Sequence, residues 1–173
     1  MMNRLLMLML MLAAPMSAGA YPEMIPLEET SLIGRAAPDV DLQTLSGGKF
    51  VLSEARGRPV VLAFWASWCG PCRKEMPALM ALQEKNSDVR IVMVNVDKDI
   101  RDARRFLAQI GLSAEEAEIA LDNEAIALGA YSVLSMPTTF LVDPNGTVKF
   151  HKVGFSTEKG LAELEAAIAE ISQ

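Results

Sequence analysis

Beyond an apolar N-terminus, hydrophobic positions alternate along the chain between strand-like and helix-like spacing. The run PVVLAF at 59–64 is unbroken and of strand length, as expected of a strand buried on both faces. From Cys69 to about Lys85 the apolar positions Met76, Leu79, Met80 and Leu82 recur at helical intervals, and Pro77 predicts a kink within that helix. RIVMVNVD at 90–97 reads as a second buried strand. Strand, helix, strand is a βαβ unit, whose crossover is right-handed.

The flanking segments fit around this unit. Residues 40–45 and 49–52 enclose Ser46-Gly47-Gly48 and predict a β-hairpin. Residues 100–110 form an amphipathic helix closed by Gly111, and 113–118 is acidic and surface-like. A short strand at 119–121 precedes a helical turn at 123–130. Strands at 138–143 and 147–153 are joined by Pro144-Asn145-Gly146, a strong turn signal. Leu161, Leu164, Ile168 and Ile171 share one face of a closing helix that starts at Thr157. The sum is an α/β fold: a mixed sheet, half parallel and half antiparallel, between helices.

The N-terminus changes the expected location. Arg4 precedes the apolar stretch LLMLMLMLAA at 5–14, and Ala18-Gly19-Ala20 has the small-residue pattern of a cleavage site. Residues 1–20 therefore read as a secretory signal peptide, or as an uncleaved tether. The apolar stretch is shorter than the ~20 residues that cross a bilayer. Residues 21–35 form an irregular lead-in, and 36–173 form the domain. A periplasmic location follows. The chain's formal charge is −6, with 16 basic and 22 acidic residues. Removing residues 1–20 takes one Arg and no acid, leaving 15 − 22 = −7. An acidic chain offers no electrostatic footprint for nucleic acid or anionic lipid. A monomer is expected.

Both cysteines lie in ASWCGPCRKEMP at 66–77. A bridge between Cys69 and Cys72 closes a four-residue loop, which in the chain-entropy model contributes only about 2 kcal/mol, against about 4.7 for a hundred-residue loop. A zinc site needs four ligands, whereas the chain has one CxxC and a single histidine, His151. The spacing therefore points to a redox dithiol. Cys69 at the N-terminus of the predicted helix meets unpaired backbone N–H groups that favour a thiolate. Pro71 suits a first turn, where its missing N–H costs nothing. Cys69 is expected to face solvent and attack; Cys72, one turn deeper, is expected to be screened and to resolve. Arg73 and Lys74 read as a solvated helix face.

FWASWCGPC at 64–72, Glu75, and SMPTTFLVD at 135–143 together resemble the thioredoxin superfamily. More narrowly, from about Ile33 onward the chain resembles the TlpA/ResA-like thiol:disulfide oxidoreductases. The resemblance implies a thioredoxin-like fold with an N-terminal β-hairpin extension and activity without a cofactor. It also implies a cis Met136–Pro137 bond in a loop facing the disulfide, where the Met136 backbone pairs with an extended substrate. Trp68, Gly70, Pro71 and Thr138 join Met136 as substrate-binding residues; Pro137 and Glu75 join the cysteines as catalytic ones. Trp65 is expected in the core.

Thioredoxin carries a buried Asp six residues before its first cysteine; here Ala63 stands there, and Glu75 is the candidate replacement. The Gly70-Pro71 pair is that of thioredoxin and implies a reducing couple, nearer about −270 mV than about −120 mV. Implied substrates are cysteine-bearing exported proteins, among them apocytochromes c and copper-site proteins, with a membrane thiol donor. Two alternatives are a thiol oxidant and a copper metallochaperone using His151. A peroxidase of the superfamily would place Thr or Ser where this chain has Ala66.

Overall fold

The computed structural model describes residues 31–154 and 157–171; the signal segment expected at 1–20 and most of the lead-in at 21–35 lie outside the described residues. Strands β1 (Asp41–Thr44), β2 (Lys49–Val51), β3 (Val60–Trp65), β4 (Arg90–Asn95), β5 (Glu118–Leu121), β6 (Thr138–Val142) and β7 (Val148–Val153) form one sheet, ordered β2-β1-β5-β4-β3-β6-β7. Helices α1 (Cys72–Lys85), α2 (Ile100–Ile110), α3 (Ile126–Ala130) and α4 (Thr157–Ile171) accompany it. Strands β3, β4 and β5 run parallel, and every other pairing is antiparallel. This is the mixed α/β sheet that the hydrophobic pattern predicts. The N-terminal hairpin is built into it, because β1 pairs with β5.

The apolar run of β3 has a direct explanation. Successive side chains of a strand point to opposite faces. Val61, Ala63 and Trp65 pack with Met76, Leu79 and Leu82 of α1, Phe106 and Leu107 of α2, and Leu164 and Ile168 of α4. Val60, Leu62 and Phe64 pack on the other face with Phe50 of the hairpin, Phe140 of β6 and Ala127 of α3. Both faces are covered, so neither can be polar. Each fully buried Leu or Phe contributes roughly 1.5–3 kcal/mol. At the hairpin, Gly47 adopts φ 93° and donates its N–H to the Thr44 carbonyl, a left-handed turn that disfavours a side chain.

Three boundaries differ from the sequence reading. Helix α1 starts at Cys72 with Pro71 as its cap residue, so Cys69 precedes the helix by a full turn. The helix then continues through Pro77 to Lys85. Helix α3 starts at Ile126, three residues later than expected, because Ala125 takes a left-handed conformation at φ 58°. Glu118 belongs to β5 and not to an acidic surface loop: both its carboxylate oxygens accept from Arg90 on neighbouring β4, at 2.6 and 2.8 Å.

The parallel strands β3, β4 and β5 end at one end of the sheet. Antiparallel β6 starts there, with Thr138 opposite Phe64, and β7 ends there, with Val153 opposite Thr138. The segments 66–71, 96–99, 122–125 and 132–137 therefore gather at that end. Ligand sites of open α/β sheets lie beyond the carboxyl ends of the parallel strands.

Candidate active site

The segment leaving β3 folds back on itself before α1 begins. The Cys69 N–H donates to the Ala66 carbonyl at 3.0 Å, closing a tight turn. Cys69 and Cys72 are joined in a disulfide, with their Cα atoms 5.4 Å apart. The Cys72 backbone N–H points at the Cys69 Sγ at 3.2 Å. This N–H is one of the unpaired donors at the start of α1, and once the bridge is reduced it favours a thiolate on Cys69.

Exposure differs from expectation. Cys69 is only 3% exposed, against 0% for Cys72, so in the bridged form neither cysteine faces solvent openly. The reason is the bond itself together with the turn, which draw the Cys69 sulfur onto the helix end. What separates the two is position: Cys69 lies in the turn before α1, Cys72 within it.

Glu75 is buried, 1% exposed, on the same helix. The Thr139 hydroxyl donates to its Oε1 at 2.7 Å, and Oε2 has no hydrogen-bond partner. Burial pushes the carboxyl up to about 7, and the Thr139 hydrogen bond partly offsets the shift. A solvated first-turn glutamate would show none of this. Strand register explains how the acid reaches this place. Ala63 and Thr139 are directly paired, and cross-strand partners share a face. Ala63 presents only a methyl group there, in the same apolar cluster as Cys72 and Met76. The carboxyl bonded to Thr139 thus comes from the helix, beside the strand position where thioredoxin-like chains carry their acid.

The Met136–Pro137 bond is cis. Pro137 immediately precedes Thr138, the partner of Phe64, so its loop lies alongside the segment that leaves β3. The Pro137 carbonyl accepts the Gly154 N–H at 2.8 Å. Met136 is half-buried and packs against the cluster containing both cysteines. Thr138 is placed differently from the other expected substrate-binding residues: it is buried, and its hydroxyl donates to the Ser135 carbonyl at 2.7 Å. Its side chain shapes the loop from within instead of lining a surface.

Gly70 and Pro71 are exposed, and Trp68 is 71% exposed beside them. Leu134 (92%), Ile126 (66%) and Val153 (51%) are also exposed, each in a segment at the same end of the sheet. Trp65, by contrast, is buried and packs against Phe106 with ring centroids 5.0 Å apart. Arg73 is more than a solvated residue: its guanidinium lies 4.7 Å over the Phe106 ring and donates to Gln109 at 2.7 Å, tying α1 to α2. His151 stacks flat on Phe140 at 4.4 Å, on the sheet face opposite the cysteines. Among the described residues, no group of three or more His, Cys, Asp or Glu could hold a metal ion.

Sequence reasoning passed over Thr139 and a polar cluster of half-buried Ser67 with buried Asn95 and Asp97. The signal for the cluster was present: Asn95 and Asp97 interrupt an otherwise apolar strand run, and a polar residue buried in such a run needs a partner.

Comparison with known proteins agrees with this geometry. The AhpC/TSA family model matches residues 33–151. The thioredoxin-like protein YneN of Bacillus subtilis is 39% identical over 134 residues, covering 75% of this chain and 76% of that protein. The thiol-disulfide oxidoreductase ResA of Geobacillus kaustophilus is 35% identical over 156 residues, covering 89% of this chain and 88% of its own. Among solved structures, a candidate thiol:disulfide interchange protein DsbE of Chlorobium tepidum superposes with a TM-score of 0.75 at 38% identity, covering 82% of this chain and 98% of that one. Two cysteines bridged at the start of a helix, a cis-proline loop alongside them and relatives matched over three quarters or more of their length all lead to one conclusion: the chain belongs to the AhpC/TSA family and, within the thioredoxin superfamily, is a ResA-like thiol:disulfide oxidoreductase.

Proposed function

We propose that this enzyme is an exported reductase that opens disulfides of other exported proteins, with Cys69 as nucleophile, Cys72 as resolving thiol and Glu75 as proton acceptor. The observation that carries this reading is the Cys72 N–H aimed at the Cys69 sulfur, on a helix whose next turn holds a buried carboxyl raised to about 7. A thiolate is the attacking species, and a donor fixed at one sulfur selects which cysteine bears it. A general base works best with a pKa near the operating pH.

The Cys69 thiolate attacks one sulfur of the substrate disulfide; the other substrate sulfur leaves as a thiolate and takes up a proton. The Cys72 thiol gives its proton to Glu75 and attacks the Cys69 Sγ, expelling the second substrate thiolate, which is also protonated. The substrate gains two electrons and two protons, and the Cys69–Cys72 pair is left oxidised. An external thiol donor, exposed on the membrane, restores it. The substrate segment lies extended along the Met136–Pro137 loop, adding to it as a strand, with Trp68, Gly70 and Pro71 beside its cysteine.

The N-terminal residues 1–20 direct the domain to the periplasm. The resemblance of the active-site segment points to apocytochromes c or copper-site proteins as substrates. The Gly70-Pro71 pair favours the reducing direction over donation of the disulfide.

Trapping separates the roles of the cysteines. Cys72→Ala leaves an attacking thiol with no resolving partner, so mixed disulfides accumulate in the native host and disappear with dithiothreitol on non-reducing gels. Cys69→Ala yields few. Equal or more adducts with Cys69→Ala would reverse the assignment.

A further inference from the structure

The turn that carries Cys69 is anchored from outside its own segment, by a residue that nothing in the redox cycle uses. Asp97 follows β4 and is 5% exposed. Its Oδ2 accepts the Ser67 backbone N–H at 2.9 Å, and its Oδ1 accepts the same N–H at 3.2 Å and the Ser67 hydroxyl at 3.0 Å. Asn95, fully buried, donates its Nδ2 to Asp97 Oδ2 at 2.8 Å and accepts the Asp97 N–H at 3.2 Å. Asn123, in the loop after β5, donates to the Asp97 carbonyl at 2.6 Å. Three loops at the disulfide end of the sheet meet in this one residue.

Burying a carboxyl is costly unless donors surround it, so a cluster of this kind is retained only where its donors satisfy it. Here the donors come from the segment that places the nucleophile: Ser67 sits between Ala66, whose carbonyl closes the Cys69 turn, and Trp68, whose ring is exposed beside the disulfide. The cysteine bridge holds the turn while the pair is oxidised. Once it is reduced, the Ala66–Cys69 bond and the Ser67–Asp97 bonds remain to hold the turn that carries Cys69.

We propose that Asp97 is the positioning residue of the reduced enzyme: through Ser67 it fixes the turn that holds the Cys69 thiolate against the Cys72 N–H. This rests on Cys69 being the nucleophile. The loss is readable as reactivity. A turn freed from Asp97 lets the sulfur leave its donor, and the thiolate becomes harder to form. Removing a negative charge near a thiolate without moving it would make the thiolate easier to form. The sign of the change therefore distinguishes an anchor from a mere charge.

The experiment uses reduced, full-length protein carrying Cys72→Ala, with the rate of Cys69 alkylation by iodoacetamide followed against pH. Adding Asp97→Asn should slow alkylation at neutral pH by about tenfold, an upward shift of about one pKa unit in the Cys69 midpoint. Ser67→Ala should shift it the same way by less, and Ser67→Thr, which keeps the hydroxyl, should match the parent. Arg73, Lys74 and Glu75 of α1 and Lys98 after β4 are untouched by these changes. A midpoint that stays or falls in Asp97→Asn overturns the proposal, whatever happens to thermal stability. If Asp97→Asn does not fold, an unshifted Ser67→Ala overturns it equally. A parent Cys69 with ordinary thiol reactivity would instead refute the nucleophile assignment, a failure visible before any variant is compared.

Discussion

Glu75 decides most at the scale of single residues. Its carboxyl, raised to about 7 by burial, is protonated in the folded protein at pH values where an unfolded chain has ionised it. Between the ordinary value of 4.5 and about 7 the folded state binds more protons than the unfolded one, so stability falls as pH rises through that window. Above it both forms are ionised and the loss levels off, on the order of 3 kcal/mol. Glu75→Gln should therefore flatten the stability profile between pH 5 and 8 while slowing thiol exchange near neutral pH. Urea unfolding and exchange kinetics across that range check both; a wild-type pH profile in the mutant would contradict the burial argument. Thr139→Val removes the hydroxyl that holds Oε1 at 2.7 Å, so the midpoint of the Glu75-dependent phase should move upward. Glu75 was legible as a candidate because it stands three residues past Cys72. Its burial was not, since only tertiary packing of α1 against Ala63 and Thr139 removes it from water.

The elements were legible wherever hydrophobic period alone defines them. β3 and α2 stand where the pattern put them, within a residue at each end. The start of α1 differs because Pro71 suits both the first helical turn and the residue before it; the turn through the Ala66 carbonyl and the disulfide set the start at Cys72. α3 was placed too early for a similar reason. Its first turn is set by Asp122, whose two carboxylate oxygens accept the N–H groups of Ala127 and Leu128 at 3.1 and 2.8 Å from outside the helix. Asp122 is itself buried. Replacing it by Ala should cost about 1–3 kcal/mol, since it leaves buried donors unpaired. Chemical denaturation is the check, and a change under about 0.5 kcal/mol would mean that α3 is not held by this cap.

For the molecule as a whole, the sheet gathers a redox pair, a buried acid, a cis-proline loop and exposed Trp68 at one end. The family and the oxidoreductase chemistry follow from that arrangement and from the relatives that share it. Direction of electron flow is a property of the couple as a whole. A Cys72 N–H aimed at the Cys69 sulfur favours a thiolate and so the reduced form, whereas burial disfavours a charged Glu75 on the same helix. The proposed reductase reading requires a net reducing couple. The measurement that tests this most directly is the equilibrium potential of the Cys69–Cys72 couple, obtained by titrating the pair in dithiothreitol or glutathione buffers at pH 7. A reductase predicts a value near about −270 mV; a value above about −150 mV would place the couple among oxidants and contradict the proposed function.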